Sequence, residues 1–298
     1  MNKSLSMNNK TVRVEPLDRL GTGCEGAKLR EVETPTIPHR VALRLRAFGA
    51  TLSANGYLLT RSSLTTRILV FALATIAAAA HADAPPQISP AKTMAEAGMV
   101  DIRSLVPDMA ENIHYAGSDN FTGAPVPGYN AAKCFLLKPA AEALARVEYT
   151  LRQQHMRLKI WDCYRPARAV AAFVRWAHND DTRTKAAHYP NVDKSKLLGE
   201  YIAPVSGHSR GATVDLTMMQ CDAHDRHCKP LDMGTHFDMF DPRAHTDSPD
   251  ATVAQHANRE RLLHAMAAQG FENYAAEWWH YTFTMHPQPT TLYDVPVQ

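Results

Sequence analysis

The chain has 298 residues, 45% of them hydrophobic and 21% charged, an ordinary globular composition with enough length for one or two domains around a sizeable core. Its 32 basic and 30 acidic residues leave a net charge of +2, which excludes the basic excess of a nucleic-acid-binding surface. No internal repeat of useful length and no long low-complexity segment points to an array or a disordered chain.

Near the N-terminus, Arg61 and Arg67 precede the apolar run ILVFALATIAAAA, Ile68 to Ala80, and HADA follows with Ala80 and Ala82 in an A-x-A arrangement. A basic region, a short apolar region and a small-residue site form a secretory signal. The run falls short of the roughly 20 residues that span a bilayer; the alternative is a buried helix. The polar stretch before it lies where a signal would normally begin, and no Met occurs between Met7 and Met94. The expectation is therefore initiation at a non-Met codon near the signal, with a genuine leader that anchors or retargets the chain as the alternative. RVALRLRAF, Arg40 to Phe48, is only weakly basic and amphipathic. Residues 1–82 are thus read as a leader with a signal-like segment over 61–82. The Pro-rich stretch DAPPQISPAKT places a linker over 83–99, and 100–298 form the folded domain. A working signal implies a periplasmic or secreted protein with no membrane span in its mature chain; without one the protein is cytoplasmic.

Removal of the leader discards Cys24 and leaves Cys134, Cys163, Cys221 and Cys228, an even number that an oxidising compartment permits to pair. Cys221 and Cys228 bracket a short polar stretch and suit a closed hairpin, which leaves Cys134 with Cys163; spacing alone does not fix this connectivity.

Along the domain, NIHYAGSDNFTGAPVPGY, Asn112 to Tyr129, is full of turn residues and reads as surface loops, where binding residues are common. In KPAAEALARVEYTLRQQ, Ala140, Leu144, Val147 and Leu151 recur at helical spacing. RLKIWDCYRP alternates as a short strand and stops at Pro166, which suits the first turn of the next helix, ARAVAAFVRWAH. A second long loop is expected from Asn179 to about Gly199. HANRERLLHAMAAQG is a helix with Gly270 as its cap. FENYAAEWWHYTF is aromatic-rich strand with a break inside. Helices and strands mix without a regular βαβ repeat, so the class expected is α+β, a single domain with a central antiparallel sheet flanked by helices.

Two patches carry candidate chemistry. In SGHSRGATVDLT, Ser206 to Thr217, Gly211 permits a tight turn between His208 and Asp215. Strand alternation puts Thr213, Asp215 and Thr217 on one face and Val214 and Leu216 on the other. In EWWHYTF, Glu277 stands three before His280. A catalytic zinc takes three His or carboxylate ligands and leaves a position for water, a set that His208, Asp215 and His280 supply. Glu277 would accept the proton of the activated water. In an ideal strand Glu277 and His280 point to opposite faces, so the site requires the backbone to bend near Trp278. Arg165, at the end of a strand, offers a fixed cation for an oxyanion. Each residue has a plainer reading: a satisfied core histidine, a structural ion pair for Arg165, core aromatics for Trp278 and Trp279. CDAHDRHC, with His224 and His227, is a competing metal cluster, though paired cysteines do not ligate zinc as thiolates.

Taken together, DNFTG (Asp119 to Gly123), WDCYRP (Trp161 to Pro166), SGHSRGATVDLT, MGTHFD (Met233 to Asp238) and EWWHY (Glu277 to Tyr281) resemble the zinc D-alanyl-D-alanine dipeptidases of the VanX type, from about Val100 to the C-terminus. These are related to the D,D-carboxypeptidases and share the hedgehog-type fold. The resemblance implies one zinc ion per chain on His208, Asp215 and His280, Glu277 as general base and Arg165 as the stabiliser of the tetrahedral intermediate. It implies that Asp238 receives the free amine of the dipeptide and that Ser206 binds substrate, with Tyr129 a looser candidate for the pocket wall; without it, Asp238 reads as a helix cap or solvated turn. Thr213 departs from the small apolar residue usual two before the ligand aspartate. The reaction implied is hydrolysis of D-Ala-D-Ala to two D-alanines, with a D,D-carboxypeptidase or peptidoglycan endopeptidase on the same site as one alternative. A zinc-stabilised binding module is another, although such a module needs neither Glu277 nor Arg165.

Overall fold

Short strands and amphipathic helices alternate along residues 87–298, the part of the chain that this computed structural model describes; the leader and its signal-like segment lie outside the described residues. In chain order the elements are β1 (Met99–Asp101), β2 (Ala110–Glu111), β3 (Phe135–Leu137), α1 (Lys138–Arg152), β4 (Met156–Asp162), α2 (Ala167–Ala177), α3 (Lys185–His188), α4 (Leu197–Glu200), β5 (Thr213–Gln220), β6 (Lys229–Pro230), α5 (Val253–Ala267), β7 (Phe271–Asn273) and β8 (His280–Phe283). The main sheet runs β2-β4-β5-β8-β7, with β6 paired to the far end of β5. Every pairing in it is antiparallel except β2 with β4, and β1 and β3 form a separate antiparallel pair. The fold is α+β, a sheet flanked by helices, as expected. Among the described residues no helix is long and apolar enough to cross a membrane.

β5 is the centre of the sheet. It is paired on both edges, and Thr213 to Met219 are all buried. Its two alternating faces are therefore both covered, and the polar face needs internal partners. Thr213 finds one across the ladder, with its hydroxyl 2.9 Å from that of Thr282.

α1 buries Ala140, Leu144, Val147 and Leu151, the stripe its spacing predicts. It also buries Glu148 completely. That carboxylate accepts the backbone N–H of Leu158 at 2.7 Å and the Nε groups of Arg152 and Arg157 at 2.9 and 3.0 Å, which fastens the helix to β4. Pro166 stands at the N-cap of α2, one position before the first helical residue. α5 starts earlier than its apolar pattern suggests, because Thr252 and Gln255 form a reciprocal capping box. Gly270 follows the helix in a left-handed conformation, φ 85°.

Three segments differ from expectation. Residues 112–129 form loops as expected, with Ser118, Asp119, Ala124 and Pro125 exposed, but Tyr115, Phe121, Val126 and Tyr129 are buried and anchor the stretch in the core. The stretch expected as a loop from Asn179 to Gly199 holds the one-turn helix α3 and the start of α4, where Leu198 and Gly199 leave helical geometry, and neither is long enough to leave a periodic signal. The described part of the stretch expected as a linker is docked: Ser89 N–H donates to Leu292 at 2.7 Å, and Ala97 and Met99 are buried.

Candidate active site

Three neighbouring strands place polar side chains in one row. Asp162 on β4 is in register with Asp215 on β5, and Asp215 with His280 on β8. The first match depends on a register shift between Ile160 and Asp162. Without it Trp161 would face Asp215, since one residue of slip exchanges the faces of a strand.

His208 enters from the short 3-10 turn Gly207–Arg210 immediately before β5. Ser206 starts this turn, its hydroxyl accepting the backbone N–H of His208 at 3.3 Å. Gly211 ends it at φ 79°, a left-handed conformation that favours glycine, and an added Cβ would also press on the Met99 and Leu137 side chains. The fourth group, Glu277, lies just outside β8. Its N–H donates to Tyr274 at 2.9 Å, and its carbonyl accepts from His280 at 3.1 Å. This turn replaces the strand geometry that would have sent Glu277 and His280 to opposite faces.

His208 Nε2 lies 3.3 Å from Asp215 Oδ2 and 3.3 Å from His280 Nδ1, and His280 Nδ1 lies 3.0 Å from Asp215 Oδ1. His208 Nδ1 donates to the carbonyl of Cys163 at 2.7 Å, which leaves Nε2 as the unprotonated, lone-pair nitrogen facing the others. Asp215 Oδ1 is buried with no hydrogen-bond partner despite its short distance to His280. Among the described residues this is the one group of three or more His, Cys, Asp or Glu donors within reach of a single cation. Lone pairs converging on one point, with a buried carboxylate oxygen left unpaired, fit a metal ion of the His and carboxylate class. Burial works to raise the pKa of Asp215, yet His208 and His280 hold it well below the usual carboxylate range. Burial pushes His208 down, towards the neutral form that ligates.

Glu277 Oε2 stands 3.5 Å from His280 Nδ1, and burial pushes its carboxyl up to about 7. Arg165 reaches across the row. Its Nε donates to Asp162 at 2.9 Å, and an Nη lies 3.4 Å from Asp215. Its guanidinium carbon sits 5.0 and 5.1 Å from the ring centres of Tyr115 and Phe173. Asp162, wholly buried, also accepts the Tyr129 hydroxyl at 2.6 Å. Asp238 is buried at φ 59°, and both its oxygens lie 3.0 Å from the Tyr115 hydroxyl. Burial, with Asp215 adding to it, pushes Asp238 well above its ordinary value.

A cleft of about 290 Å³ opens onto this group, with Tyr115, Arg165, Ser206, Asp238, Tyr201 and Glu277 among its walls. The structure thus brings together His208, Asp215, His280, Glu277, Arg165, Asp238 and Ser206. Tyr129 is not among the residues that line the cleft; its hydroxyl donates to Asp162, the carboxylate that also holds Arg165. Tyr115 lines the cleft instead, a residue the sequence hid inside an apparently exposed loop. Asp162 was also missed, although it lies within the quoted WDCYRP. Cys134 is bonded to Cys163 and Cys221 to Cys228. The second bond closes the CDAHDRHC loop, and among the described residues His224 and His227 belong to no group of three donors close enough to share a cation.

The pattern of the peptidase family described as D-ala-D-ala dipeptidase matches residues 95–298. The chain belongs to this family. A D-alanyl-D-alanine dipeptidase from Streptomyces coelicolor is 42% identical over 198 residues, 66% of this chain and 96% of the relative. Its namesakes from Enterococcus faecium and Enterococcus faecalis are 36% and 35% identical, each over 68% of this chain and 100% and 99% of their own lengths. The protein is a peptidase, and its sheet flanked by helices is consistent with that family's fold.

Proposed function

We propose that the chain is a zinc-dependent dipeptidase that hydrolyses D-alanyl-D-alanine to two D-alanines. The observation that carries the reading is the convergence of His208 Nε2, His280 Nδ1 and the Asp215 carboxylate beside Glu277 and a fixed Arg165. His208, Asp215 and His280 would hold the zinc, which when bound supplies a Lewis acid that polarises the peptide carbonyl and acidifies water.

The chain's own groups do the rest. Glu277, close to neutrality in its buried setting, takes the proton of the attacking water and returns it to the leaving amine. Arg165, tied to Asp162, aims its guanidinium at the oxyanion. Asp238 receives the substrate ammonium. Its buried carboxyl is pushed towards the neutral form while alone, and an incoming cation favours its ionised form. Ser206 lies where the backbone turns into His208 and binds the other end of the peptide. The cleft volume lies at the lower limit of the roughly 300–1,000 Å³ common for ligand sites, which suits a dipeptide.

The test is release of D-alanine from D-Ala-D-Ala, which must depend on zinc and on Glu277. We further propose that residues 61–82 direct export, which places the reaction outside the cytosol, in wall turnover or scavenging. N-terminal sequencing of protein from its native host tests this: a mature end at Asp83 supports export, and an intact Met1 in the cytosol counts against it.

A further inference from the structure

α5 turns a polar face to the segment that begins at Asp232, with only Arg259 of that face fully buried. Gln255, Asn258 and Arg259 occupy one side of the helix by their three- and four-residue spacing. Gln255 donates to the Asp232 side chain at 2.9 Å, and Asn258 to the Asp232 carbonyl at 2.9 Å. Arg259, 1% exposed, reaches further: Nε donates to Met233 O at 2.8 Å, one Nη to His245 O at 2.6 Å and the other to Arg243 O at 3.0 Å. A buried guanidinium directed at backbone carbonyls is costly to maintain, so this arrangement calls for an explanation.

The three carbonyls bracket the loop that carries Asp238. That residue is held at φ 59°, a conformation that a non-glycine residue keeps only where its surroundings over-determine it. From the other side, His188 Nδ1 donates to the Asp238 carbonyl at 2.9 Å, and Trp278 Nε1 donates to Thr235 at 2.8 Å. Gly234 lies inside the clamp at φ 86°, where a Cβ would stand 3.1 Å from an Arg259 Nη.

We infer that Arg259 is a positioning residue for substrate recognition, fixing the loop Met233 to His245 so that Asp238 presents its carboxylate to the substrate ammonium. This rests on the amine-receiving role given to Asp238 above. The test measures kcat and KM for D-Ala-D-Ala with the zinc-loaded full chain, for Arg259→Lys, Arg259→Met, Gly234→Ala and Asp238→Asn. Thermal melts and zinc content are followed in parallel. A lysine reaches one or two of the three carbonyls, so Arg259→Lys raises KM about tenfold while kcat changes less than about threefold. Gly234→Ala, whose Cβ would press on Gln255 Oε1 at 3.0 Å and on an Arg259 Nη at 3.1 Å and so disturb the same clamp, gives the same split and keeps the test alive if Arg259→Met does not fold. Asp238→Asn raises KM further. A folded, zinc-loaded Arg259→Lys with unchanged KM, beside an Asp238→Asn whose KM rises, overturns the inference alone. An Asp238→Asn with unchanged KM overturns the role of Asp238 and the inference with it. A fall in kcat at constant KM, matching the folded fraction, marks Arg259 as structural only and also overturns it.

Discussion

Asp162 and Asp215 face each other in register across β4 and β5, two buried carboxylates in adjacent strands, with Arg165 bridging both. Like charges in such a position repel, and the guanidinium offsets the repulsion. The same contact fixes the direction in which Arg165 points. Asp162→Asn keeps the shape and removes the charge that orients Arg165. The expected result is a fall in kcat of about 10- to 100-fold with KM within about threefold, because in the proposed mechanism Arg165 is an oxyanion donor, and a small displacement of such a donor costs most of its effect. Steady-state kinetics with metal content checked in parallel measures it.

Glu277→Gln removes the proton carrier of the proposed mechanism and leaves the three converging donors untouched. Activity should fall by about 10²- to 10⁴-fold, the usual contribution of a general base. Zinc per chain should stay at the wild-type level by metal analysis of the dialysed protein. Loss of zinc with activity would give Glu277 a ligating role instead.

Glu111 provides a pH test away from the cleft. Its side chain is 2% exposed, neither oxygen has a hydrogen-bond partner, and Arg103 Nε is 3.5 Å away. Burial, only partly opposed by Arg103, pushes its carboxyl from 4.5 up to about 7. The folded state therefore keeps a proton that the unfolded chain releases near 4.5. This group's contribution is fully present below 4.5 and is lost as pH rises through about 7, with a limit of about 3 kcal/mol. Glu111→Gln should accordingly be more stable than wild type at pH 8 and nearly equal to it at pH 4. Urea unfolding at the two pH values decides, and the same difference at both would rule the explanation out.

The disulfides differ in the loops they close, 29 residues for Cys134 and Cys163 and 7 for Cys221 and Cys228. Chain entropy gives about 3–4 kcal/mol for the first and about 2 kcal/mol for the second. Cys163 also supplies the carbonyl that sets the His208 tautomer. Cys134→Ser with Cys163→Ser should lower both stability and activity. Cys221→Ser with Cys228→Ser should lower stability less and leave kcat unchanged. Denaturant midpoints and turnover on the two double variants separate the effects.

The parts of the site that were legible in the sequence are those set by local chemistry. Alternation in TVDLT fixed which face Asp215 shares with Thr213 and Thr217, and Gly211 marked the reversal after His208. A bend near Trp278 was required by the chemistry, and the chain does turn over Tyr274 to His280. What stayed hidden depends on pairing between distant segments. The shift that sets Asp162 opposite Asp215 leaves no trace in the sequence, because it falls where Ile160, Trp161 and Asp162 are all buried and the alternation of β4 ends. The aromatics of residues 112–129 read as surface until the core they fill is known, so the sequence does not single out Tyr115, which lines the cleft. β2 and β6, with two residues each, are too short for any period to show.

The most direct measurement is D-alanine release by the purified, zinc-loaded full chain from D-Ala-D-Ala and from its N-acetyl derivative, side by side. The account expects rapid release from the free dipeptide and little from the blocked one, which has no ammonium for Asp238. Equal release from both would contradict it and move the chain to the carboxypeptidase side of the fold. Release from neither, with zinc bound, would leave a binding module.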